Sequence, residues 1–488
     1  MIVQKSFYTS CRSLGDDIVY RGIHNGKRVS ERIKYSPTLF LPSKFPNKFK
    51  TLFGQDVEPM KFESMSEARK FLDKYKDVEN FNIYGNTHFH LCYVSDLFPK
   101  EIEYDLSLIS IAYLDIEVGS ENGFSEVSIA SEPITAIAVK IDKTFHVFGY
   151  GEFNTNNDNI IYYKSANEKE LLEQFLDFWQ KNCPDIITGW NVALYDIPYL
   201  VNRITKVLNE NQSKRLSPWK RFSKRTITLR GQLHETFSLL GISILDYWEL
   251  YLKYSQNPSQ ESYKLDYIAT TELGEGKVKF EGHLRNLHKV DHQKFIEYNI
   301  QDVELVAKLE EKLRLIELVI FKAYYSKVNY DDVLSQVRSW DTLIFNELRK
   351  KHIVIPQKIH VEKDTQFAGA FVREPLPGLH RWISCFDVAS LYPNLIRMLN
   401  ISFETLTEHY TTILDDGLLK KEINTEYLKE KNLTLAANGH HFRKDVEGLL
   451  PQIMEKMFRE RQEYKEKKIK AEKELEIVKK ELRRRKVV

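Results

Sequence analysis

Cysteine is scarce in this chain. The four residues Cys11, Cys92, Cys183 and Cys385 are scattered, with no CxxC pair among them. That spacing excludes a zinc ribbon and a disulfide framework and points to a reducing compartment. Long apolar runs are missing too: no stretch approaches the roughly 20 apolar residues of a membrane span. The segment from Met1 to Ser6 has no apolar core of a signal peptide, so the expectation is a cytoplasmic protein with no membrane partner. Net charge is nearly absent, 71 Lys and Arg against 69 Asp and Glu giving +2. Any nucleic-acid binding must therefore come from local basic patches, not from bulk charge. Aromatic side chains, by contrast, are plentiful, and 26 Tyr and 28 Phe suit base stacking as well as a large core. A chain of 488 residues is too long for one core and is expected to form three or four domains.

Everything else answers to Ile111-Ala112-Tyr113-Leu114-Asp115-Ile116-Glu117-Val118. This apolar, β-prone run, bounded by Gly119 and Ser120, predicts a buried strand. The strand period of two puts Asp115 and Glu117 on one face. Two anions side by side at a buried sheet edge repel and lose solvation, so they need a cation between them. A pair of divalent metals would meet that need and would act on phosphate. Alone, Asp-x-Glu reads better as a strand end with two solvated acids than as a metal site. The acids that arrive later in the chain change the balance.

Residues 1 to about 108 alternate short strands with turns around one polar helix at 64–75 and read as an α+β module with a binding role. Further strands are expected at 134–141 and 145–150, a helix at 168–181, and a strand and turn at 185–191. Pro198 fits the first turn of a helix, which places Asp196 near that helix's N-terminus; by itself Asp196 could be only a cap. Lys214, Arg215, Lys220, Arg221, Lys224 and Arg225 then interleave with Trp219 and Phe222. That pattern suits phosphate contact with base stacking, and suits a solvated loop as well. A hairpin centred on Arg230-Gly231-Gln232 follows, then a strand at 242–247. A long helix at 292–313 carries Tyr298 and Asp302 at i, i+4 on one face. Residues 109–314 thus read as an α/β domain holding four carboxylates and a tyrosine. That is the inventory of a two-metal phosphodiesterase, in which one metal activates water, the other stabilises the leaving oxygen, and Tyr298 orients the water.

Asp115-Ile116-Glu117, Asn191-x-x-x-Tyr195-Asp196 and Tyr298-x-x-x-Asp302 resemble, in order and context, the three motifs of the DEDDy exonucleases, the class that supplies the proofreading domain of family B DNA polymerases. Ser384-Cys385-Phe386-Asp387-Val388-Ala389-Ser390-Leu391-Tyr392-Pro393-Asn394-Leu395-Ile396 resembles that family's motif A, with Asn394 where Ser is usual. Phe367-Ala368-Gly369-Ala370-Phe371-Val372 is similar to its Tyr-x-Gly-Ala linker, with Phe for Tyr. Residues 214–218, and Asn400-Ile401-Ser402 through Thr405, are similar to polymerases of the T-even phage type.

The resemblance implies a multidomain α/β and α+β fold. An N-terminal α+β domain would occupy 1–108 and 315–358, an RNase H-like 3′–5′ exonuclease domain 109–314, a partial palm 359–447, and the first fingers helix 448–488. It implies a DNA-directed DNA polymerase with proofreading, using two Mg2+ or Mn2+ ions at each active site. Asp115, Glu117, Asp196 and Asp302 would hold the exonuclease metals beside Tyr298, and Asp387, at the end of a strand from Trp382, would hold a metal on the triphosphate. The amides of Ser390, Leu391 and Tyr392 would cradle phosphate at a helix start, Tyr392 would exclude ribonucleotides, and Arg461 and Lys465 would grip the triphosphate. Without the resemblance, Arg461 and Lys465 read as a solvated helix face. The implied partners are primer-template and single-stranded DNA, deoxynucleoside triphosphates and a sliding clamp, in a host cytoplasm if the gene is a phage's. The family's Lys-x-x-x-Asn-Ser-x-Tyr-Gly and Asp-Thr-Asp-Ser motifs do not occur in these 488 residues. The expectation is therefore a split polymerase whose C-terminal half is a separate chain, ahead of a truncated chain or an interrupted gene. A stand-alone 3′–5′ exonuclease and a non-catalytic nucleic-acid-binding protein are the alternative functions.

Overall fold

The computed structural model describes residues 5–119, 126–229, 232–256, 259–277, 287, 290–358, 369–370, 372–407, 420 and 425–485. Ser120, the Arg230-Gly231 turn, Phe367, Ala368 and Phe371 of the linker motif, and residues 486–488 lie outside them. The architecture is mixed α/β in two compact units, Met1–Phe49 with Asp56–Gln357, and Lys50–Gln55 with Lys358–Val488. No helix among the described residues is long and apolar enough to cross a membrane.

The first unit opens with an antiparallel meander of β1 (Phe7–Leu14), β2 (Asp17–His24) and β3 (Lys27–Lys34). Helix α1 (Met65–Tyr75) starts where Ser64 accepts the Glu67 N–H, an ordinary N-cap. A second helix, α2 (Phe89–Leu97), stands where only short strands and turns are expected from sequence. It buries Phe89, Leu91, Val94 and Ser95 and has no one-sided apolar stripe to betray it.

The organising sheet has six strands. In chain order they are β4 (Ile111–Val118), β5 (Ile134–Ile141), β6 (Thr144–Tyr150), β7 (Ile160–Ser165), β8 (Ile186–Thr188) and a short last strand after the β9–β10 hairpin (Phe222–Leu229 and Gln232–Leu239), β11 (Ser243–Ile244). Their spatial order is β7-β6-β5-β4-β8-β11. β4 pairs antiparallel with β5 and parallel with β8. It therefore lies inside the sheet, not at the edge expected from sequence. Ala112, Leu114 and Ile116 point into a core shared with Leu171, Phe175 and Trp179 of α3 (Glu168–Lys181) and Tyr199 and Leu200 of α4 (Asp196–Val207). The alternate residues face the other way. On that side α7 (His292–Leu313), which follows α5 (Tyr247–Tyr254) and α6 (Leu265–Leu273), packs Phe295, Ile296 and Val303 against Ala136 and Ala138 of β5. Two further helices follow, α8 (Leu315–Ser326) and α9 (Gln336–Lys350).

The second unit is built on α10 (Leu391–Leu399) and the 36-residue α11 (Leu449–Arg484). The first amides of a helix have no partner within it, and here Asn400, Glu404 and Ser402 take them. Asn400 Oδ1 accepts the Gly448 N–H at 2.8 Å, Ser402 Oγ accepts the Leu450 N–H at 3.3 Å, and Glu404 accepts that of Leu449. Arg397 of α10 lies 5.1 Å over the Phe458 ring and pairs with Glu455, both on α11. The strand expected from Trp382 to Asp387 does not form. Trp382 is fully exposed at φ +62°, Phe386 is 92% exposed, and the backbone is irregular. A strand needs a partner for its N–H and C=O groups, and no sheet among the described residues includes this segment.

Candidate active site

β4 and α7 meet across the face of the sheet opposite α3 and α4. β4 presents Asp115 and Glu117, half-buried, and α7 presents Tyr298, Asn299 and Asp302, all buried. One oxygen from each of Asp115, Glu117 and Asp302 lies within 4.8 Å of the others. Asp196 stands outside that triple but is tied to it. As the first residue of α4, it accepts through Oδ1 the N–H of Ile116, the residue between the two strand acids, at 3.0 Å. The chain reaches Asp196 through Gly189, where a Cβ would meet the Leu114 carbonyl oxygen at 2.4 Å. Only glycine permits that approach to β4.

The acids share one electrostatic predicament. Loss of solvent, and then repulsion from Asp196 and Asp302, pushes Asp115 well above the usual carboxylate range. Burial and the negative Asp302 push Glu117 up to about 8. Burial pushes Asp196 up to about 7, against the opposing hydrogen bond from Ile116. Asp302 is raised by burial while Lys277 pulls the other way.

Lys277 is the cation inside this cluster. It pairs with Asp302, donates to the Tyr298 hydroxyl at 2.9 Å and lies 4.9 Å over the Tyr298 ring. Burial works against its charge, yet Asp302 holds its pKa above the ordinary lysine value. Burial pushes Tyr298 up to about 12. Asn299, fully buried, donates to Asp115 Oδ2 at 2.7 Å. Neither Lys277 nor Asn299 was identified from sequence. Asn299 had one signal, its place inside Tyr298-Asn299-Ile300-Gln301-Asp302; Lys277 had none, since its partners are 21 and 25 residues away.

The cluster suits a divalent cation. Its donors are hard oxygens in anionic groups, as magnesium and manganese prefer. Asp302 Oδ1 is buried with no hydrogen-bond partner among the described residues, an orphan that a metal would satisfy.

The basic loop divides into two sets. Lys214 pairs with Glu210 at 2.8 Å, Arg215 with Asp177 and Lys224 with Glu235 at 2.6 Å. Lys220, Arg221 and Arg225 form no ion pair among the described residues. Lys220 and Arg221 line an open cavity of about 490 Å³ with Arg32, Lys214, Pro218 and Trp219.

In the second unit Asp387 is exposed, on the irregular segment before α10. Ser390, at φ +51°, immediately precedes α10, whose first residues Leu391 and Tyr392 are exposed. Arg461 of α11 donates to Ser390 Oγ at 3.2 Å, and Lys465 is exposed one turn further along.

Residues 56–268 match the exonuclease domain of DNA polymerase family B, and residues 331–484 match DNA polymerase family B itself. Tyr298 and Asp302 fall between the two matches. The DNA-directed DNA polymerase of Escherichia phage RB69 is 36% identical, over 98% of this chain and 56% of the relative. That of Enterobacteria phage T4 is 34% identical, over 98% of this chain and 55% of the relative. The DNA polymerase delta catalytic subunit of Candida albicans is 27% identical, over 80% of this chain and 39% of its own length. The chain spans about half the length of the two phage relatives it matches.

Proposed function

This chain belongs to DNA polymerase family B, and on that premise we propose that it combines a 3′–5′ proofreading exonuclease with the first part of a DNA polymerase. Residues 109–314 would be the RNase H-like exonuclease domain, with 1–108 and 315–358 the N-terminal domain, 359–447 the partial palm and 448–488 the first fingers helix. The observation that carries the exonuclease reading is the convergence of Asp115, Glu117 and Asp302 within 4.8 Å, with Asp196 hydrogen-bonded to the backbone between the first two.

Asp115, Glu117, Asp196 and Asp302 would hold two divalent cations, magnesium or manganese, which when bound supply an activated water and stabilise the leaving oxygen. Asn299 fixes the Asp115 carboxylate, and the bond from Ile116 does the same for Asp196. Lys277 neutralises Asp302 and orients the Tyr298 hydroxyl, which would align the attacking water. Tyr298→Phe removes one hydrogen bond and should slow hydrolysis mildly. Lys220, Arg221 and Arg225, with Trp219, would hold single-stranded DNA near the hairpin.

In the second unit, Asp387, the amides of Ser390, Leu391 and Tyr392, and Arg461 with Lys465 would receive a deoxynucleoside triphosphate. A two-metal synthesis site needs a second palm carboxylate. The 488-residue chain should therefore extend nothing by itself and should gain extension from a companion polypeptide carrying Asp-Thr-Asp-Ser. The test is the purified chain with 5′-labelled single-stranded DNA and primer-template, in Mg2+ or Mn2+. Shortening from the 3′ end is expected; no shortening with either cation sinks the exonuclease reading. Asp387→Ala should abolish extension by the reconstituted pair, and extension indifferent to that change sinks the palm assignment.

A further inference from the structure

We infer that Asp246 is a positioning residue of the exonuclease site, acting through the turn that carries Asn191 and leads into Asp196; the inference rests on the exonuclease reading above. Asp246 is 2% exposed and precedes α5. Its carboxylate accepts three backbone N–H groups, each at 3.0 Å: Trp248, Asn191 and Ala193. The bond from Trp248 is a helix cap, which Ser, Thr or Asn would make as well. The other two come from a segment 55 and 53 residues away and are not needed to start α5. Asp246 forms no ion pair among the described residues. A buried carboxylate without a cation is costly unless N–H donors satisfy both oxygens. The turn supplies them, and in return it is held.

That turn needs holding. Asn191 sits at φ +70°, a conformation L-residues adopt at a cost, and its carbonyl accepts the N–H groups of Leu194 and Tyr195 at 3.1 and 3.0 Å. Gly189 O accepts the Tyr247 N–H at 2.9 Å, and Thr236 donates to the Ala193 carbonyl. The segment is thus strapped to the start of α5 immediately before Asp196 reaches across to the Ile116 N–H. Asp246 hydrogen-bonds backbone N–H groups and no cluster acid, while its negative charge repels that of Asp196 through space; it positions Asp196 through the backbone that carries it.

Two substitutions in the full chain separate this role from a helix cap. Asp246→Ser retains a cap for Trp248 but is too short to reach Asn191 and Ala193. Asp246→Asn keeps the volume and one acceptor oxygen while presenting an NH2 to a backbone donor. Each is measured for Mn2+ binding by calorimetry without DNA, for Tm, and for kcat and KM on single-stranded DNA. Expected for both is Mn2+ binding weakened about 10–100-fold, with kcat falling and KM for DNA nearly unchanged. The Ser variant should fold with a lowered Tm, because the Asn191 and Ala193 N–H groups lose their acceptor. If Asp246→Ser does not fold, the Asn variant carries the same readouts. Unaltered Mn2+ affinity and kcat in a folded variant, whatever its Tm, would leave Asp246 a cap and overturn the inference. A parent chain that neither binds Mn2+ nor degrades DNA would overturn the exonuclease reading, and this inference with it.

Discussion

Asp115 lies on a strand hydrogen-bonded on both sides, beneath a helix that brings Asp302 to within 4.8 Å of it. Asp387 lies on exposed, irregular backbone, and no sheet among the described residues includes the expected strand. Both acids stand in motifs read from sequence with equal ease. The difference shows what a carboxylate motif needs in order to become a site. Around Asp115 the fold holds the acids together against their repulsion, with Lys277 and Asn299 as counterweights. Asp387 belongs to no cluster of three or more metal-ligating side chains among the described residues.

The sharpest test of that contrast removes one acid set at a time. Asp115→Ala with Glu117→Ala should cut 3′ degradation of single-stranded DNA by several orders of magnitude, because metal-activated water is lost. Asp387→Ala should leave degradation unchanged, and a fall in that variant would break the separation of the two sites. Next in size is Asn299→Leu. It removes the donor that orients Asp115, and loss of such an outer partner costs about 10–100-fold in metal affinity or rate; Mn2+ titration and kcat measure it.

A smaller effect follows from protonation. Burial raises Glu117 to about 8 and Asp196 to about 7 in the folded chain, against roughly 4 for either group unfolded. Between those values the folded state binds more protons than the unfolded, so stability falls as pH rises. Without metal, Tm should therefore decline from about pH 5 to about pH 8, and Mg2+ should restore it. Glu117→Gln should flatten the decline; a Tm independent of pH in chelator would refute the buried-acid account. The smallest effect tests the two sets of loop cations. Neutralising Lys220, Arg221 and Arg225 should reduce the salt dependence of single-stranded DNA binding, by about 0.7 in log–log slope for each phosphate that is no longer neutralised. Neutralising Lys214, Arg215 and Lys224, already paired with Glu210, Asp177 and Glu235, should change it less. Equal slopes for both triple variants would erase that distinction.

Much of the proposed exonuclease site was legible because its signals are local. The alternation in Ile111–Val118 puts Asp115 and Glu117 on one face, and the spacing of Tyr298 and Asp302 puts both on one side of α7. Pro198 marked the first turn of α4 and so the place of Asp196. These are consequences of backbone periods that hold wherever a strand or helix forms. Other signals misled. Trp382 to Asp387 has strand-forming residues, but a strand is a property of a pair. The β4 strand was placed at an edge, and its central position depends on β8 arriving from far along the chain.

What the sequence by itself determined, then, is which acids this protein carries and which face of its own element each one occupies. The tertiary structure decided that Lys277 is the counter-ion of Asp302, that Asn299 orients Asp115, and that Asp246 holds the turn before Asp196. Those partners lie 25, 184 and 55 residues apart. No short-range period encodes such pairings; they exist because groups buried together must satisfy one another once water has been excluded.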